Sequence, residues 1–118
     1  MALHRLELHE HPAPPHHEIR QTTVLDSGER IVGTVGNLYV DDDGSRQLRF
    51  VDLVTSGFLG FGKKHHLVPV EAITGEAPGS IMLSVDEQTI EGAPEFPDPH
   101  TAPNDELQRA TREHYGYG

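Results

Sequence analysis

The chain has 118 residues, 35% of them apolar, and its 19 acidic side chains outnumber 9 basic ones for a formal charge of −10. That length suits one domain with a modest core, and that charge repels a phosphate backbone, which argues against nucleic acid as a partner. The absence of cysteine excludes disulfide scaffolds, thiolate metal sites and cysteine nucleophiles.

The opening segment, MALHRLELHEHPAPPHHE, lacks the apolar stretch of a signal peptide. No run approaches the ~18 apolar residues of a membrane helix, so a soluble, cytoplasmic protein without membrane insertion is expected. Residues 1–18 carry three prolines and five histidines with no sustained period. They read as a His/Pro-rich arm, either mobile or ordered only by packing on the rest, in which LHRLELHEH forms a short strand or turn.

From about Ile19 to Val85 the pattern is β. Val24 and Leu25 close a short strand at the DSGE turn. In RIVGTVGNLYV, Ile31, Val35 and Tyr39 alternate with Val32, Leu38 and Val40, so both faces are apolar. That suits a strand in a closed barrel or under a covering element, and Gly33 and Gly36 within it predict a bend or bulge. DDDGS (41–45) turns the chain into QLRFVDLVTS, with Leu48, Phe50 and Val54 on one side. GFLGFGKK makes a glycine-rich hairpin, HHLVPV and EAIT continue as strand, GEAPGS turns, and IMLSV alternates Ile81, Leu83 and Val85. Strands this short, with turns about every ten residues, predict a small barrel or sandwich.

DEQTIEGAPEF predicts one helical turn capped near Asp86 and ended by Gly92 and Pro94. FPDPHTAP is a proline-spaced linker. DELQRATREHYGYG predicts a short helix, with Asp105 as cap, Gln108 three residues on, a face of Leu107, Ala110, Thr111 and His114, and a stop at Gly116. A helix this short needs to dock on something.

Gly57, Gly62 and Lys63 fall at P-loop positions, but Lys64 replaces the magnesium-binding hydroxyl and β-branched HHLVPV with Pro69 replaces the required helix. Phe58 and Phe61 on this loop are either an exposed binding tip or a plug for a barrel end. YVDDDGSRQLRF fails as a calcium loop because Tyr39 and Phe50 occupy the first and twelfth ligand positions. His9 and His11, with His16 and His17 nearby, suit weak zinc or nickel binding, whereas adjacent His65 and His66 on one strand face opposite sides. Glu71, Glu76, Asp86 and Glu87 are loop carboxylates. Asp52 is either buried beside a lysine or arginine or marks a barrel rim. No nucleophile–base or metalloprotease pattern is present, so no enzyme is expected.

GERIVGTVGNLYVDDDGSRQLRFVDLV, GFLGFGKKHHLVPVEAI and SVDEQTIEGAPEF together resemble the PRC-barrel family, over residues 20–96. The elements that carry the resemblance are the glycine-punctuated strand Gly28 to Val35, the turn Asp41 to Gly44, the apolar return strand Leu48 to Val54, the basic glycine loop Gly57 to Lys64, and Val68 to Glu71. The resemblance implies an all-β fold, a small PRC-type β-barrel of about six strands with a short C-terminal helix and an irregular N-terminal arm. It implies a free-standing bacterial member, divided as arm (1–18), barrel (19–96) and Pro-rich linker with helix (97–118). In the reaction-centre H-subunit and a ribosome-maturation factor, such barrels are assembly surfaces without catalytic residues. The expected function is therefore a protein-interaction module, self-associating as a dimer, with no cofactor. Phe58, Phe61, Lys63, Lys64, His66 and Tyr115 are the candidate contact residues. The alternative is metal buffering by His9, His11, His16 and His17.

Overall fold

A computed structural model describes residues 2–56 and 62–118. Seven strands form one sheet: β1 (Leu3–Arg5), β2 (Thr23–Leu25), β3 (Ile31–Asp41), β4 (Leu48–Ser56), β5 (Lys63–Pro69), β6 (Ile73–Ala77) and β7 (Ser80–Leu83). Their order is β5-β4-β3-β2-β7-β6, with β1 added beside β3. β2 and β7 are parallel and every other pair is antiparallel. The expected strands are present, and the arm supplies one more, because β1 pairs Leu3–Arg5 with Tyr39–Asp41. A 3-10 turn at Val70–Ala72 links β5 to β6, and no ladder joins these two end strands among the described residues. The sheet is therefore curled but not closed by hydrogen bonding.

β3 organises this curl by pairing with three neighbours along its length. Two bulges, between Val35 and Leu38 and between Tyr39 and Val40, break its register with β4. Each extra residue reverses the alternation of side chains. Val35 therefore joins Leu38 and Val40 in the main core rather than lying on the Tyr39 side, as strict alternation predicts. Leu48 joins Val51 and Leu53 in that same core instead of sharing a side with Phe50. Tyr39 and Phe50 point into a second, smaller cluster with Leu67 and Phe96. Gly33 and Gly36 are required by close approach. A Cβ on Gly33 would lie 2.2 Å from the Val54 carbonyl oxygen, and one on Gly36 would lie 2.5 Å from Asp52 Oδ2.

The tail covers the second cluster. Phe96 meets Tyr39 edge-on at 5.5 Å, and the Tyr39 hydroxyl donates to the Pro99 carbonyl. Asn37 Nδ2 donates to the same carbonyl, and Arg5 Nε donates to the carbonyl of His100. Both faces of β3 are thus apolar because one lines the barrel and the other lies under the tail.

α1 (Glu87–Glu91) is capped by Asp86, whose carboxylate accepts from the Thr89 N–H, and ends at Gly92. α2 (Asp105–Tyr115) is capped one residue earlier than expected, by Asn104, which accepts from the Leu107 N–H; Asp105 sits in the first turn. Its buried residues are Gln108, Thr111 and Tyr115, whereas His114 is exposed and bonds the Thr89 carbonyl at 2.7 Å. The docked stripe is rotated by about one residue from the predicted face. The aromatic ring of Tyr115 enters the main core, and the His114 ring stays outside to tie α2 to α1. The strand before GEAPGS also runs further than expected, to Ala77, leaving Pro78 and Gly79 as a two-residue hairpin.

The arm packs by specific contacts. Leu6 is buried in the main core, and Arg20 donates to the carbonyls of Glu7 and Glu10 and to the Glu18 carboxylate. This guanidinium holds the Glu18 carboxyl down at about 2, well below its ordinary 4.5, against the opposing effect of burial.

Candidate interaction groove

β3 and β4 stay paired, through two bulges, from Val40↔Leu48 to Thr34↔Val54. Beyond that pair β3 runs on to Ile31 alongside β2, while β4 runs on to Ser56 alongside β5 through Thr55↔Lys64 and Ser56↔Lys63. The two strands part company, and α1 sits across the gap. The result is an open cavity of about 740 Å³, lined by Ile31, Val54, Thr55, Lys63, Lys64 and His66 on the strands and by Ile90 from α1.

Its chemistry is mixed. Ile31 is 74% exposed, and only Leu8 is more exposed among the large apolar side chains described. Lys63 and Lys64 are exposed, and neither has an ion-pair partner among the described residues. His66 is half-buried and lies 3.3 Å from the Thr55 hydroxyl. Burial, reinforced by Lys64, pushes its pKa below the ordinary 6.5, so the ring is neutral near pH 7. Glu87 and Glu91 of α1 form the opposite wall.

Of the predicted contact residues, Lys63, Lys64 and His66 meet in this groove. Tyr115 does not belong to a surface: it is only 8% exposed, because the docked face of α2 carries it into the core, where burial raises its pKa. Phe58 and Phe61 lie outside the described residues. Sequence reasoning missed Ile31, Thr55 and Ile90, since only the tertiary fold brings the end of β3, the end of β4 and α1 together. A β-branched residue directly after a turn was the one available signal.

The four predicted metal ligands are spread along the arm. His9 and His17 are exposed, His11 Nδ1 lies 3.4 Å from Glu18, and His16 Nδ1 lies 2.8 Å from Glu76. Among the described residues no group of three or more histidines and carboxylates is placed to hold an ion.

Asp52 is neither on a rim nor beside a lysine or arginine. It is fully buried, with Oδ1 2.8 Å from His65 Nδ1 and Oδ2 accepting from the Asn37 N–H at 3.3 Å. His65 points to this buried side and His66 to the groove, as adjacent positions on a strand require. The Asp52–His65 pair pins β5 to the bulge of β3 through β4, and so fixes the strand that presents the two lysines.

No helix among the described residues is long and apolar enough to cross a membrane. No curated protein matches the sequence. The model of the PRC-barrel domain family matches residues 15–89, starting five residues before the range 20–96 expected from the sequence and ending inside α1. With most of the chain covered and the glycine-bulged strand, acidic turn and curled sheet in place, the chain belongs to the PRC-barrel domain family.

Proposed function

We propose that this barrel is a non-enzymatic interaction or assembly module whose contact face is the groove between β3, β4, β5 and α1. The observation that supports the reading is an exposed Ile31 beside two lysines that lack ion-pair partners among the described residues, around an open cavity of about 740 Å³. An apolar side chain at the mouth of an open cavity with a polar, charged rim has the core-and-rim arrangement of a contact surface. The family resemblance points the same way, since barrels of this kind serve elsewhere as assembly surfaces.

We also propose self-association, because a barrel this small is near the lower limit for independent stability, and a twofold dimer is the default symmetry. Sedimentation across a hundredfold concentration range tests this: a mass of two chains is expected, and a concentration-independent monomer removes the dimer. The interaction reading is tested by affinity capture from native-host extract with the intact chain and an Ile31→Asp variant as baits. A stoichiometric partner held by the first and lost by the second is expected. Retention unaffected by Ile31→Asp, or no specific retention, refutes the groove as the contact face.

A further inference from the structure

We propose that the groove takes an extended peptide segment of a partner, carrying an acidic side chain next to an apolar one. This inference rests on the interaction reading above and adds the chemistry of the partner.

Charge is the first argument. Lys63 and Lys64 are the only lysines in the chain. Four of the seven arginines are engaged: Arg5 with Glu7, Arg20 with Glu18, Arg49 with Asp41 and Arg112 with Glu71. On a chain of formal charge −10, adjacent cations without partners among the described residues form a local positive site that a carboxylate complements. Thr55, paired with Lys64 across the β4–β5 ladder, adds a hydroxyl on the face that carries His66. Glu87 and Glu91 repel an acid from the α1 side, so the carboxylate is directed along β5 and its apolar neighbour toward the exposed Ile31.

Backbone geometry is the second argument, and it selects an extended segment over a helix. The β3–β4 ladder stops at Thr34↔Val54, yet both strands continue, each paired only on its far side. Past the close approach of Gly33 to Val54, residues 31–32 and 55–56 continue without exchanging ladder hydrogen bonds with each other. An extended chain reads such strand ends with its own N–H and C=O groups, and seats alternate side chains in the pockets between.

The test is selection of random dodecapeptides displayed against the intact chain, followed by binding measurements on the parent and on a Lys63→Gln/Lys64→Gln variant. Both lysines are exposed, so this variant keeps the fold, which the unfolding midpoint verifies. The expected result is a pool rich in Asp or Glu beside an apolar residue. Its affinity should fall about tenfold in the double variant, the size of two surface ion pairs, and weaken with added salt. A pool without acidic bias, or one indifferent to the two lysines, overturns the proposal while leaving the interaction reading intact. An empty pool beside a partner captured in an Ile31-dependent way overturns the extended acidic segment alone. An empty pool with nothing captured overturns both.

Discussion

Truncating Asp52 is the most informative perturbation of the fold that presents the groove. Asp52→Ala removes both carboxylate oxygens from a site with 1% side-chain exposure, stranding the Asn37 N–H and the His65 ring. Deleting the acceptor of two buried hydrogen bonds leaves each donor without a partner, at about 1–3 kcal/mol apiece. The His65 side chain is 26% exposed and recovers part of its hydration, so the lower end applies to it, about 3 kcal/mol in total. That is a large share of the ~5–15 kcal/mol typical of a small domain. Urea unfolding followed by circular dichroism reads it directly, as a lower midpoint with an unchanged slope. A cycle with His65→Ala should return a coupling of about 1–2 kcal/mol, because the two groups share one contact. A parent-like midpoint for Asp52→Ala, within about 0.5 kcal/mol, or a cycle with no coupling, would refute the claim that this pair secures β5.

Gly33→Ala should destabilise by about 2 kcal/mol or more, since its Cβ meets the rigid Val54 carbonyl at 2.2 Å; a stability equal to the parent's counts against the close β3–β4 approach. Gly36→Ala should be less damaging in the Asp52→Ala background than alone, because the nearest atom, Asp52 Oδ2 at 2.5 Å, is then gone; equal costs in both backgrounds argue against that contact. Arg20→Met should release the arm, seen as faster amide exchange at Leu6 and Glu10 with little change at Leu53. The Glu18 carboxyl is depressed in the folded chain from 4.5 to about 2, so its contribution is complete above pH 4.5 and lost as pH falls toward 2. With 38% of the side chain exposed, solvent screening cuts the ~3 kcal/mol implied by that shift to about 1 kcal/mol. A Glu18→Gln variant should show a shallower loss of stability in that window, and an identical acid profile contradicts the pairing.

Local chemistry wrote much of this protein openly. Alternation and turn residues marked β2 to β5 and β7, Asp86 and Gly92 bounded α1, and Gly116 stopped α2. The order of glycine-bulged strand, acidic turn and basic glycine loop was enough to point to the family. These signals are legible because hydrogen-bonding turns, caps and side-chain periods act over a few residues.

The phase of the pattern was not legible. Bulges at Gly36–Asn37 and near Arg49 shift side chains from one face to the other, and nothing local shows where partner strands absorb the extra residue. That uncertainty hid which of Val35, Leu48, Phe50 and Asp52 line the barrel. In the same way, the pitch of α2 showed an amphipathic helix, but the surface it docks on selected Tyr115 over His114 for the core. The groove itself exists only in three dimensions, where β3 and β4 diverge under α1 and bring Ile31 to within one cavity of Lys63, which lies 32 positions away along the chain. Sequence by itself determined the β elements, their turns and the family. Tertiary structure decided the faces, the buried Asp52–His65 pair and the groove, because each depends on contacts between residues far apart in the chain.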